Sequence, residues 1–197
     1  VGRHESLRQI ATLYERGARL VSILGIGGIG KTRLVRRFAR TWLGDFPGGA
    51  WFCDLSQARS VDGIAFAVAQ GLDVPLGKLD PVIQLGDAIA GRGDCLVILD
   101  NFEQVARHAE ETLGCWLERA PDARFLVTTR EVLGVVGEEL LELPPLPVSD
   151  AVTLFLSRAQ SASKDFTPVD NDLGTIEELV KVLDGLPLAI ELASARI

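Results

Sequence analysis

Leu20 to Thr32 reads LVSILGIGGIGKT. Five largely apolar residues run into Gly25, and from there the order is glycine, four residues, glycine, lysine, threonine. The apolar run predicts a buried strand. From Lys31 onward, Leu34, Val35, Phe38 and Trp42 recur at helical spacing with Arg33, Arg36, Arg37 and Arg40 opposite them, which predicts an amphipathic helix. A glycine-rich loop between a strand and a helix is the setting of a phosphate-binding P-loop. Glycines allow backbone conformations closed to other residues, so the N–H groups of Gly25, Gly27, Gly28, Ile29 and Gly30 can turn inward around phosphate oxygens. The helix N-terminus adds partial positive charge, and Ile29, Thr32 and Arg33 are expected to contribute mainly backbone donors. Lys31 is expected to place an ammonium on the β- and γ-phosphates, and Thr32 to offer its hydroxyl to Mg2+. The expected ligands are therefore ATP or ADP with magnesium.

Working outward, four further apolar runs read as strands: Ala50 to Leu55, Cys95 to Leu99, Arg124 to Thr128 and Glu139 to Leu143. Helical patterns lie between them. Such alternation predicts an α/β fold of three layers, α/β/α, with a five-stranded parallel sheet. Pro144, Pro145 and Pro147 then form a stiff connector that continues neither a helix nor a central strand. A boundary at Pro147 follows, with residues 1–147 as the nucleotide-binding domain and 148–197 as a helical subdomain. Ser149 and Asp150 are expected to cap its first helix, and Leu173 to Leu183 and Leu188 to Ala195 show further helical patterns.

Asp100 closes the third apolar run, where a buried parallel strand would deliver one carboxylate to the ligand edge of the sheet. It is the candidate metal-side acid, facing Thr32 across the ion. Hydrolytic P-loop enzymes often carry a second acid next in sequence to activate water, and here that position is Asn101. An amide orients water without accepting its proton, so slow hydrolysis is expected. Glu103 is the nearest alternative acid, though its position reads first as a solvated first-turn acid of the helix that follows. Thr128, Thr129 and Arg130 close the fourth strand, and Arg130 can distinguish ATP from ADP because only the triphosphate gives it a γ-phosphate partner. The competing reading pairs Arg130 with Glu131 or Glu138.

Composition narrows the function classes. Hydrophobic residues make up 47% and charged residues 24% of 197, the balance of a globular chain. No apolar run approaches a bilayer-spanning length, and no secretory segment opens the chain, so a cytoplasmic location without membrane contact is expected. A net charge of −7 argues against direct nucleic-acid binding by this segment. Cys53, Cys95 and Cys115 share no metal-ligand spacing and are expected as reduced thiols. The absence of methionine and an end at Ile197 inside an apolar helical pattern suggest a piece of a longer protein.

The P-loop, LVILDNFEQV from Leu96 to Val105, FLVTTRE from Phe125 to Glu131 and GLPLA from Gly185 to Ala189 occur in that order. Together they resemble the STAND class of signal-transduction ATPases, in its NB-ARC or AP-ATPase branch, and particularly the versions in bacterial transcriptional regulators. The resemblance implies that Val1, Gly2 and Arg3 approach the adenine and ribose, making residues 1–19 an adenine-side segment and helix. It also implies that Arg130 senses the γ-phosphate, that Pro187 packs near the adenine, and that 148–197 is a truncated helical lid. The nucleotide would then bridge sheet domain and lid. Sensor and effector domains of the same polypeptide, and nucleotide-dependent homo-oligomers, are the implied partners.

Three functions compete. A nucleotide-controlled switch with slow turnover leads. A steady-turnover remodelling ATPase would want the acid that Asn101 replaces, and a non-hydrolysing scaffold would keep ADP as a structural core. A small-molecule kinase is weaker, because no acceptor site or arginine-rich lid is evident.

Overall fold

The computed structural model describes residues 2–163 and 170–196. Val1 and Ile197, both singled out above, lie outside the described residues. The five strands are β1 (Leu20–Leu24), β2 (Ala50–Asp54), β3 (Leu96–Asp100), β4 (Arg124–Thr129) and β5 (Glu138–Glu142). All neighbouring pairs are parallel, in the order β2-β3-β4-β1-β5. β3 is buried along its whole length, which is why it reads as a continuous apolar run rather than an alternating one. Asp100 and Thr129 are the last residues of β3 and β4 and not the first beyond them.

Alternation along the strands divides two cores. Val97, Leu99, Phe125 and Val127 share one with residues of α3 (Val61–Leu72), α4 (Pro81–Ala90) and α5 (Cys115–Arg119). The opposite set, including Val21, Ile23, Ile98 and Leu126, is equally buried, and α2 (Lys31–Thr41) packs against β3 and β4. Tyr14 of α1 (His4–Glu15) ties that helix to the sheet by donating its hydroxyl to the Phe125 carbonyl at 2.9 Å. Trp116, fully buried between α4 and α5, donates its indole N–H to the Val82 carbonyl at 2.9 Å, so its one polar atom is satisfied. The three cysteines are free thiols. Burial pushes Cys53 up to about 12 and Cys95 up to about 11, which keeps both protonated and unreactive.

The chain forms two compact units. One comprises Ser6–Gly25 and Lys31–Glu142 and contains the whole sheet; the other comprises Val1–Glu5, Ile26–Gly30 and Leu143–Ile197. The second unit is helical, with α6 (Val148–Ala162), α7 (Asp170–Val182) and α8 (Pro187–Ser194). Its core is built from Leu146, Leu154, Phe155, Ala159, Ile176, Val180 and Ile190. Ser149 and Asp150 do not cap α6. The capping position is Pro147, whose ψ of 150° ends the connector in extended backbone with no side-chain cap, so both residues fall inside the first turn. Gly185 adopts φ +61° after α7, and its carbonyl accepts the Leu146 N–H at 3.0 Å. A Cβ there would stand 2.4 Å from the Leu146 carbonyl oxygen, so only glycine fits. Pro187 opens α8 in its first turn, where a missing N–H costs nothing. Among the described residues no helix is long and apolar enough to cross a membrane.

Candidate functional site

In the sheet unit the chemistry gathers at the carboxyl edges of β1, β3 and β4, the edge at which open parallel sheets present ligand groups. Asp100 is 2% exposed. Its carboxylate accepts the Thr32 hydroxyl at 3.0 and 2.9 Å and the Thr128 hydroxyl as well. Thr128 in turn accepts the Asn101 N–H at 2.9 Å, which locks the chain where it leaves β3. Lys31 is also buried, and its ammonium donates to the Gly25 carbonyl at 2.6 Å, folding back over the start of the loop. Burial pulls the Lys31 ammonium below its usual range; the facing Glu103 and Asp100 carboxylates oppose that shift, while Arg130 adds to it.

Thr32 and Asp100 form an oxygen-only donor pair, which suits magnesium by chemistry: this ion commonly takes one or two protein oxygens and fills its octahedron with water and phosphate. Among the described residues there is no cluster of three or more His, Cys, Asp or Glu side chains that could cage a metal alone.

Asn101 sits at φ +63°, and its amide donates to Asp54 Oδ1 at 3.0 Å across the β2–β3 edge. Burial alone would raise Asp54, yet the Ser56 N–H, the Asn101 amide and the Arg36 charge together hold its carboxyl below the usual range. Arg130 pairs with neither Glu131 nor Glu138. Its Nε donates to Glu103 Oε1 at 3.1 Å, whereas Glu138 is occupied by the N–H groups of Leu133 and Gly134. Glu103 is therefore not the solvated first-turn acid its position suggested: its side chain is only 11% exposed.

In the helical unit, the middle of the loop meets α8. Gly28 and Gly30 take φ of +78° and +101°, and the Leu188 N–H donates to the Gly28 carbonyl at 3.2 Å. A Cβ on Gly28 would approach the Leu188 Cβ to 2.9 Å, while Pro187 Cγ lies 3.8 Å from the corresponding point on Gly30. Gly2 and Arg3, both at positive φ, belong to the same unit. A Cβ on Gly2 would strike the Asp150 carboxylate, and the Arg3 guanidinium donates to the carbonyls of Ile29, at 3.0 Å, and Pro144. Burial lowers the Arg3 pKa, and Asp150 opposes the shift. Gly2, Arg3, Ile29 and Pro187, far apart in sequence, thus belong to one body with Gly27, Gly28 and Gly30, whereas Gly25 belongs to the sheet unit. Arg33 stands exposed on α2 in the other unit.

Three participants were not anticipated from sequence. Thr128 had a signal, a hydroxyl two residues before Arg130, but its aim at Asp100 depends on the β3–β4 register. Asp54 and Leu188 reach their partners only once β2 lies beside β3 and α8 against the loop.

No family model matches the chain. It is 32% identical over 200 residues to an uncharacterised protein of Mycobacterium tuberculosis, covering 100% of this chain and 50% of that protein. It is 31% identical over 180 residues to a candidate HTH-type transcriptional regulator of the same organism, covering 91% of this chain and 20% of that one. The chain thus spans only half of one relative and a fifth of the other. A solved structure with a similar fold is a Signal Transduction ATPase with Numerous Domains (STAND) bearing a tetratricopeptide repeat sensor, from Pyrococcus horikoshii. It has a TM-score of 0.63 at 20% identity, over 96% of this chain and 29% of that one. In its fold the chain is similar to this STAND ATPase, and the order of its motifs is the one that resembles the STAND class in its NB-ARC or AP-ATPase branch.

Proposed function

We propose that this chain is the ATP- and ADP-binding module of a STAND-type ATPase within a bacterial transcriptional regulator, acting as a switch with slow Mg2+-dependent hydrolysis. The observation that carries the reading is the cluster of half-buried Thr32 with buried Asp100 and Thr128 beside the buried Lys31 ammonium. A buried carboxylate with two hydroxyls and an adjacent ammonium is an expensive arrangement for a fold to keep without a polyanion to serve. Gly25, Gly27, Gly28, Ile29, Gly30, Thr32 and Arg33 would supply backbone donors, Lys31 the mobile charge, and Gly2, Arg3 and Pro187 the adenine side. Thr32 and Asp100 would hold Mg2+, which when bound neutralises charge on the β- and γ-phosphates. Arg130 would read the γ-phosphate. ATP and ADP would then favour different arrangements of the two units, because only a ligand of unequal affinity for two states shifts their balance. The site faces a cytoplasmic nucleotide pool, and neighbouring sensor and effector domains or further copies of the protein receive the output.

Titration calorimetry with ATP and ADP in magnesium tests this. Lys31→Ala should weaken triphosphate binding at least tenfold, and unchanged ATP affinity would refute the assignment. A second reading, an ADP-stabilised scaffold without turnover, is favoured by Asn101, whose amide is tied to Asp54 where a base is often found. ADP recovered from the purified protein, with no phosphate release from the intact polypeptide, would select it.

A further inference from the structure

Glu103 occupies a place that neither a surface ion pair nor a catalytic base accounts for. The short turn Phe102–Gln104 follows β3 directly, and fully buried Phe102 anchors it, so the Glu103 side chain is directed inward. Oε1 accepts from Arg130, and Oε2 is buried without a hydrogen-bond partner among the described residues. A carboxylate oxygen left in that condition opposes folding. Its partner compensates only in part, because the Arg130 side chain is 60% exposed and keeps much of its water while Glu103, at 11%, has given up most of its own. As a base Glu103 is poorly placed too, since the guanidinium already draws on its charge. Its charge also bears on the phosphate machinery: with Asp100 it opposes the burial that lowers the Lys31 ammonium.

We propose that Glu103 is the residue that sets the preference between nucleoside triphosphate and diphosphate, by competing with the γ-phosphate for Arg130. The inference rests on nucleotide binding at the P-loop as argued above. A triphosphate brings a dianionic terminal group to the two cations that Glu103 faces and must displace its carboxylate from Arg130; a diphosphate ends one group short and leaves the pair intact. Glu103 has somewhere to go. It lines a cleft of about 610 Å³ together with Arg59, Arg107 and Glu131, where two guanidinium groups outnumber the one other carboxylate that the displaced Glu103 would meet. Discrimination thus arises from an exchange of partners at Arg130 and not from added contacts to the nucleotide.

The test is a double-mutant cycle on the full chain, with ADP and a non-hydrolysable ATP analogue titrated in magnesium. Glu103→Gln should raise the triphosphate-to-diphosphate affinity ratio about tenfold, and Glu103→Asp, a milder change of the same contact, should raise it less. In an Arg130→Gln background the same Glu103→Gln change should alter the ratio less than about twofold. An unchanged or lowered ratio in Glu103→Gln overturns the proposal, as does an equal rise with and without Arg130, which would mean a general field effect. Circular dichroism checks that each variant folds, and Glu103→Asp carries the test if Glu103→Gln does not. If the wild-type chain binds neither nucleotide, the P-loop reading fails and this inference falls with it; if both bind but the ratio ignores Glu103, only this inference fails.

Discussion

Asp100 is a charge kept in a nearly dry place by two hydroxyls, those of Thr32 and Thr128. The Thr128 hydroxyl also receives the Asn101 N–H, so it joins β4 to the exit of β3 by two bonds. Thr128→Val keeps the shape and removes both, leaving the buried Asp100 carboxylate with the Thr32 hydroxyl alone of the two and the half-buried Asn101 N–H without its acceptor. The expected loss is about 1 to 3 kcal/mol of unfolding free energy, read from the urea midpoint, the cost of one polar group left short of a partner. A loss under about 0.5 kcal/mol would mean that water replaces the hydroxyl freely. Residues such as Lys31, Thr32 and Asp100 were legible because sequence-local rules place them, a glycine loop before a helix and an acid ending an apolar run. The partner of Arg130 was not. Glu138 looked available by sequence distance, but its carboxylate closes the turn at Leu133 and Gly134, and the contact falls to Glu103 on another loop.

At the scale of elements, strands were legible to within a residue or so, most directly β3, because a parallel strand covered on both faces has to be apolar throughout. Helix starts were less so. Ser149 and Asp150 have capping side chains, yet the proline connector fixes the start of α6 two residues earlier and leaves Asp150 facing Gly2. The joint between α7 and α8 depends on Gly185, whose left-handed backbone and close approach to Leu146 exclude a side chain. Gly185→Ala should destabilise the helical unit by about 2 kcal/mol or more, combining left-handed strain with a backbone clash. The readout can be made selective, because Trp42, Trp51 and Trp116 all belong to the sheet unit. Helical circular dichroism should therefore begin to fall at lower urea than tryptophan fluorescence in this variant. Coincident transitions displaced together would show that the two units unfold as one.

At the scale of the whole molecule, a ligand that binds only the folded chain stabilises it by mass action. With nucleotide and magnesium at about a hundred times the dissociation constant, the gain is about 2.7 kcal/mol. For a chain of this size that is a rise of about 5 to 10 °C in Tm by differential scanning fluorimetry, and Lys31→Ala should abolish most of it. No rise in the wild-type protein would count against nucleotide binding at any site.

The strand order has a consequence during synthesis. β1 leaves the ribosome well before its sheet neighbour β4, which lies about a hundred residues further along the chain, Leu20 pairing with Phe125. At about 5 to 20 residues per second, the apolar strand that carries the loop waits several seconds with both edges open. A nascent chain in that condition is a natural client for a holding chaperone, and translation that stalls between β1 and β4 would release a sticky fragment instead of a half-built sheet.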